Sequence, residues 1–239
     1  MPVAVITGAS RGLGRALAYE LAGRGWQLVL NARSRHVLDR TVEELREVAG
    51  PDARIQAVAG DVSVDWTRGA LVAAAQDYGG LDLLVNNASA LGAEPLVPLA
   101  EQPLDGLRAA LETNVVAPLA LVQEALVLLA AAPRGRVLNI SSDAAVEAYE
   151  TWGGYGASKA ALDHLSAVLA VEQPALRVWA VDPGDMRTDL YAAAVPDDED
   201  FAERLDPAVV APALLRLVDE DVPSGRYTAA ALAQKAVSA

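Results

Sequence analysis

Ser142, Tyr155 and Lys159 are the side chains in this sequence with the plainest capacity for chemistry. Tyr155 and Lys159 are four positions apart, so on a helix both leave the same face, one turn apart. An ammonium held beside a phenol favours the phenolate and lowers its pKa from a reference of about 10. That makes Tyr155 a proton donor and acceptor near neutrality. Ser142, at the mouth of the preceding apolar run, is placed to hold an oxygen beside the phenol. Taken alone, Tyr-x-x-x-Lys arises by chance in many helices. There it describes an amphipathic tyrosine packed beside a solvated lysine. The surrounding elements decide between the two.

Val137 to Ile140 reads as a buried strand, and the small residues around Tyr155 read as a helix. The same alternation begins at the N-terminus. Val3-Ala4-Val5-Ile6 is a strand that ends in Thr7-Gly8-Ala9-Ser10-Arg11-Gly12-Leu13-Gly14, after which Leu13, Leu17 and Leu21 recur at helical spacing. Glycines at a first strand–helix junction let backbone approach a pyrophosphate, and the helix N-terminus offers free N–H groups. A tight turn without a ligand would show the same glycines. The second strand, Trp26 to Leu30, runs into Asn31-Ala32-Arg33-Ser34-Arg35. An NAD site places Asp or Glu here for the ribose 2′-hydroxyl, whereas an Arg suits the 2′-phosphate of NADP. Ala32 and Arg33 occupy the place, the first acid is Asp39, and Arg11 is expected to reach the same phosphate. Alternatively, Arg33 and Arg35 solvate a loop.

A helix from about Arg35 to Val48, a Gly50-Pro51-Asp52 turn and a strand to Ala59 precede Asp61-Val62, at a ligand-side strand end. A helix to about Tyr78 leads to Leu81–Val85 and Asn86-Asn87-Ala88-Ser89. A long helix from about Leu104 to Ala131 then carries Asn114. Asparagine competes for backbone bonds inside helices, so a kink or polar site is expected there. After the Tyr155 helix come the strand Leu176–Val181, the turn Asp182-Pro183-Gly184-Asp185-Met186-Arg187-Thr188, and an acidic stretch, Ala192 to Glu203. That stretch reads as solvated loop or as a lid over a substrate. A helix from Pro207 to Val218, a strand at Ser224–Thr228 and a tail complete the chain. The pattern predicts one α/β domain with a Rossmann-type, doubly wound parallel sheet of about seven strands, helices on both faces. A dinucleotide half spans roughly 1–90 and a catalytic half roughly 91–239.

Composition excludes several classes. There is no cysteine among 239 residues, so disulfides and thiolate metal sites are ruled out. Only His36 and His164 supply imidazoles, and no metal site is expected. His164 points away from the Tyr155 face and reads as structural, His36 as surface. A net charge of −13 argues against nucleic acid as a partner. Val115 to Ala132 is very apolar, but Pro118, Gln123 and Glu124 interrupt it, so it reads as a buried or interface helix rather than a membrane span. A soluble, cytoplasmic protein is expected.

Together, Thr7-Gly8-x-x-x-Gly12-x-Gly14, Asp61-Val62, Asn86-Asn87-Ala88, Asn114, Ser142, Tyr155-x-x-x-Lys159 and Pro183-Gly184 with Thr188 resemble the short-chain dehydrogenase/reductase family across essentially the whole chain. The resemblance implies that Tyr155 is general acid or base and that Ser142 bonds the substrate oxygen. It also implies that Lys159 bonds the nicotinamide ribose and lowers the Tyr155 pKa, while Asn114 holds a proton-relay water. The cofactor residues it implies are Gly8, Ser10, Arg11, Gly12, Leu13, Gly14, Arg33, Asp61, Val62, Asn87, Ala88, Tyr155, Lys159, Pro183, Gly184, Met186 and Thr188. Ala32-Arg33 and Arg11 resemble the NADP-preferring members, so NADP(H) is the expected cofactor. Ser89 departs from the family's usual glycine. The C-terminus lacks the glycine-rich end of many tetrameric members; the long apolar helix resembles the family's other dimer face. A homodimer is expected, a tetramer remaining open.

Tyr149 to Gly154 is similar to the segment of sepiapterin and benzil reductases in which a tryptophan sits near an aromatic carbonyl substrate. Trp152 and Tyr191 are therefore candidate substrate residues, with Ala144 and Val146 beside them; Trp152 packing only its own loop is the other reading. The expected activity is NADPH-dependent reduction of a ketone or aldehyde, a small-molecule partner. A secondary-alcohol dehydrogenase and a non-catalytic dinucleotide sensor are the alternatives. An epimerase or dehydratase with a separate substrate domain has little room after Thr188.

Overall fold

The computed structural model describes residues 1–50 and 53–234; of the predicted Gly50-Pro51-Asp52 turn, 51 and 52 lie outside the described residues, as does the end of the tail, 235–239. The first unit is β1 (Val3–Ile6), α1 (Gly12–Gly23), β2 (Gln27–Ala32), α2 (Arg35–Ala49), β3 (Ile55–Ala59) and α3 (Asp65–Asp77). Then follow β4 (Leu83–Asn86), α4 (Leu104–Leu111), α5 (Ala117–Ala131), β5 (Arg136–Ile140), α6 (Gly153–Glu172) and β6 (Arg177–Asp182). The chain continues through α7 (Asp189–Ala194), α8 (Pro207–Asp219), β7 (Gly225–Thr228) and α9 (Ala229–Gln234). The short helix α9 stands where the sequence reading had only tail.

All strand pairs are parallel, in the order β3-β2-β1-β4-β5-β6-β7. The seven-stranded sheet of the sequence reading is therefore present. Successive strand side chains face opposite ways, so a strand covered on both faces must be apolar throughout. In β1, Ala4 and Ile6 join a core with Leu17 and Leu21 of α1, Leu38 and Leu45 of α2 and Leu214 of α8. Val3 and Val5 join another with Leu71 of α3 and Leu121 and Leu129 of α5. The strand order reverses between β1 and β4, which opens a crevice at the strands' C-terminal ends.

The run predicted as one helix from Leu104 to Ala131 is broken at Asn114. Glu112–Val116 forms a π-turn between α4 and α5, with Ala117 N–H reaching back to the Glu112 carbonyl. Pro118 has no N–H to give the Asn114 carbonyl, which removes the α-helical bond that would close this turn. Among the described residues, this run of 28 is long and apolar enough to cross a membrane, with a mean hydropathy of 1.8 over its most apolar window. Here it packs on the sheet: α5 buries Leu121, Val122, Ala125 and Leu129, and leaves Val127 79% exposed.

Candidate active site

Ser142 follows β5 and caps a short 3-10 turn, Asp143–Ala145. Its hydroxyl donates to Asp143 Oδ1 at 3.0 Å and accepts from Ala144 N–H at 3.2 Å. Arg226 of β7 donates to the Ser142 carbonyl at 2.9 Å and to Asp163 of α6 at 2.8 Å, so the last strand braces the serine against the helix that carries Tyr155. Gly156 permits that approach. A Cβ there would lie 2.5 Å from the Ala144 carbonyl oxygen. Deeper, Asn86 donates to Asn139 and Asn139 to Ser166, a buried relay that fixes β4, β5 and α6 together.

Tyr155 and Lys159 share a face of α6, as their spacing predicts, and both are buried. Lys159 Nζ donates to the Ile140 carbonyl at 2.7 Å and stands 5.5 Å from the Tyr155 ring centre. The expected lowering of the Tyr155 pKa by Lys159 is not what the structure gives. Burial pushes the phenol up to about 12, and Asp143 and Asp182 push the same way; the one group pulling it down is the Ser89 hydroxyl. Burial brings Lys159 down to about 8 against the pull of Asp163. A desolvated ammonium turned toward a carbonyl leaves the phenol little help.

Asn114 is buried behind the cleft rather than lining it. Its Oδ1 accepts from Ala90 N–H at 2.8 Å, and its Nδ2 donates to the Ala90 carbonyl and to Ser158 Oγ, each at 2.8 Å. Ser158 in turn donates to the Tyr155 carbonyl at 2.6 Å. The polar site expected in mid-helix is therefore a clamp between the Ala90 loop and α6.

A cleft of about 960 Å³ runs from Tyr155 to the end of β2. Gly8, Ser10, Arg11, Gly12, Leu13, Arg33, Asp61, Val62, Asn87, Ala88, Pro183, Gly184, Met186 and Thr188 all line it. Gly14 does not: it faces the Gly8 carbonyl, where a Cβ would lie 2.5 Å away. Gly8 sits at φ 65° with room for no Cβ, which would come 2.8 Å from Asn87 Nδ2. Asn87 Nδ2 itself donates to the Thr7 carbonyl at 2.9 Å. Among the described residues no side chain caps the first turn of α1, and no acid lies in that turn, so its amides keep their capacity for an anion. Arg11 does not join Arg33; it pairs with Asp189 across the cleft at 2.7 Å. Asp39 pairs with Arg35 at 3.7 Å. Arg33 stands at the cleft's far end with Arg40, and neither has an ion pair among the described residues.

On the other side of Tyr155, Trp152 stands edge-on to the phenol ring, centres 5.7 Å apart. Thr151 before it holds φ at 70°, strained for a β-branched residue. Leu91, Leu96, Ala144 and Ala194 form the apolar wall around Tyr155, with Trp152 and Leu190 against it. Val146 is exposed and outside the cleft. Tyr191 lines the cleft and stacks on Phe201, centres 6.3 Å apart. Arg204 ties this acidic segment down, bonding Asp198 at 3.0 Å, Asp185 at 3.4 Å and the Tyr191 ring face at 5.3 Å. His36 and His164 are both exposed, and neither lines the cleft.

The sequence pattern of short chain dehydrogenases matches residues 2–199. The chain belongs to the short-chain dehydrogenase/reductase family. It is 35% identical to sepiapterin reductase of Mus musculus over 208 residues, 83% of this chain and 79% of that one. It is 32% identical to the uncharacterized oxidoreductase YciK of Escherichia coli over 233 residues, 92% and 86% of the two chains. A short chain dehydrogenase from Shigella flexneri complexed with NADP superposes with a TM-score of 0.87 at 29% identity, covering 95% and 96%. An alcohol dehydrogenase from Thermococcus sibiricus complexed with 5-hydroxy-NADP gives 0.85 at 28%, covering 95% of each.

Within this dehydrogenase/reductase frame, sequence reasoning gave Thr7 a place in the glycine motif but no role of its own, and passed over Ser158, Arg226, Arg40 and the Leu91, Leu96 and Ala194 part of the apolar wall. Thr7 Oγ1 accepts from both Asn87 and Ala88 N–H at 3.0 Å, which makes it the anchor of that turn. Ser158, one position before Lys159, was open to notice as a small polar residue on a buried helix. Nothing local marks Arg226, which reaches Ser142 from 84 positions away.

Proposed function

We propose that this oxidoreductase reduces a ketone or aldehyde with NADPH, Tyr155 giving the proton. The observation that carries the reading is the pairing, in one cleft, of the Ser142–Tyr155–Lys159 group with Arg33 at a β2 terminus that offers no carboxylate. The cleft fits a dinucleotide phosphate: uncapped α1 amides, a glycine turn without room for a Cβ, and two guanidiniums without ion pairs among the described residues. Gly8, Ser10, Gly12 and Leu13 would hold the pyrophosphate, Arg33 with Arg40 the 2′-phosphate, and Asp61 and Val62 the adenine. Pro183, Gly184, Met186 and Thr188 would border the nicotinamide, and Lys159 its ribose. The bound cofactor supplies hydride to the carbonyl carbon.

The chain's own residues manage the oxygen. Ser142 donates a hydrogen bond to it as negative charge develops, and Tyr155 gives it the phenolic proton. A phenol held high in pKa is protonated at neutral pH, the form that reduction needs. Trp152 and the apolar wall exclude water and favour an aromatic or otherwise apolar carbonyl. The likeness to sepiapterin reductase supports that preference. Val127 and Val171, 79% and 80% exposed on α5 and α6, support a homodimer through this face, and a cytoplasmic location accords with the reading.

The test is oxidation of NADPH and of NADH against a panel of aromatic diketones, ketones and aldehydes, with Tyr155→Phe alongside. NADPH-dependent turnover that disappears in the variant is expected. NADPH binding without turnover of carbonyls or, with NADP⁺, of alcohols would favour a sensor. Val127→Glu is expected to shift the protein to monomer in sedimentation.

A further inference from the structure

Ser89 stands where the family usually carries glycine, and its hydroxyl is a loose end. The oxygen is buried and has no hydrogen-bond partner among the described residues. Buried hydroxyls are rarely left so, and an exception asks for a reason. Ser89 lines the same cleft as Tyr155 and Ser142.

The backbone on both sides of it is fixed. Ala88 N–H donates to Thr7 Oγ1 at 3.0 Å, and Ala90 exchanges two bonds of 2.8 Å with Asn114. Asn114 continues through Ser158 to the Tyr155 carbonyl, in steps of 2.8 and 2.6 Å. One buried chain of groups thus sets both the Ser89 loop and the Tyr155 turn. The hydroxyl lies near enough to draw the phenol's pKa down against the push of burial, although the two oxygens do not meet in hydrogen-bond geometry in this protonated arrangement.

We propose that Ser89 is a positioning residue for Tyr155, its hydroxyl donating to the phenol oxygen as that oxygen gives its proton to the substrate. Ser89 keeps its own proton throughout; the transferred proton goes from Tyr155 to the carbonyl oxygen. Glycine at this position offers no such bond, and threonine would. The proposal rests on reading Tyr155 as the proton donor.

The experiment is a fluorine NMR titration of the whole protein labelled with 3-fluorotyrosine, a substitution that acidifies every phenol and brings Tyr155 into reach. Tyr155→Phe assigns the resonance. Ser89→Ala is expected to raise the Tyr155 midpoint by about one pH unit, a tenfold change in the ionisation constant, and Ser89→Thr to restore it. In turnover, the pH profile of kcat in Ser89→Ala should move with it while KM for NADPH stays put. Coincident titrations of wild type and Ser89→Ala, or equal shifts in the alanine and threonine variants, would overturn the proposal. The titration needs no substrate. A shifted midpoint in a protein that turns over no carbonyl would sink the reductase reading and leave the Ser89–Tyr155 bond standing.

Discussion

Ala90 and Asn114 exchange two hydrogen bonds, the Ala90 N–H donating to Oδ1 and the Asn114 Nδ2 donating to the Ala90 carbonyl, both at 2.8 Å. The asparagine amide thereby does for a loop what a neighbouring strand would do. It can do so only because the π-turn lets the side chain leave the helix between α4 and α5.

Replacing Asn114 should therefore cost stability before it costs chemistry. Asn114→Leu strands the Ala90 N–H, the Ala90 carbonyl and the Ser158 hydroxyl, and a loss of roughly 3 kcal/mol is expected. Calorimetry checks it. An unchanged melting temperature would show that the clamp is ornamental.

Arg33 is expected to set cofactor choice. Arg33→Ala should raise KM for NADPH by about tenfold to a hundredfold, the worth of a charge-assisted bond to phosphate, with NADH kinetics unaltered. If both cofactors suffer alike, the residue acts on the loop and not on the 2′-phosphate.

Lys159 makes stability depend on alkaline pH. Its folded pKa of about 8 lies below the usual 10.5, so between those values the unfolded chain holds a proton that the folded chain has released. Stability therefore rises with pH across that window, by up to roughly 3 kcal/mol relative to Lys159→Met. Tyr155 acts oppositely. Its folded value of about 12 exceeds the usual 10.0, so its contribution is complete below pH 10 and fades above it. Denaturant unfolding of the wild type and Lys159→Met at about pH 7.5 and about pH 10 reads the difference. A constant gap between the two proteins would contradict it.

Arg204 fastens the acidic segment beside Tyr191. Removing it in Arg204→Ala is expected to raise KM for the carbonyl about fivefold, the size of one partly exposed ion pair, while kcat changes little. Loss of kcat without any change in KM would place the effect elsewhere.

Much of this was legible in the chain itself, because parallel strands buried on both faces and glycine turns leave short-range marks. Val3–Ile6, the Leu13/Leu17/Leu21 stripe and Tyr155-x-x-x-Lys159 each act within a few positions. The break at Asn114 was legible as a misplaced amide, and Pro118 explains it. Arg226, Thr7 and the direction in which Arg11 points were not, since each depends on partners far along the chain. The sign of the Tyr155 shift was missed for another reason: spacing shows who is near, but not how much water has been removed.

The brace from Arg226 to Ser142 has a consequence for the order of assembly. Synthesis delivers β1 to β4 first and β7 last among the described strands. A nascent chain can order the glycine turn after β1 and the end of β2 while Ser142 is still unsupported. Ser142 gains its brace only when β7, the last of the seven strands described, has joined the sheet.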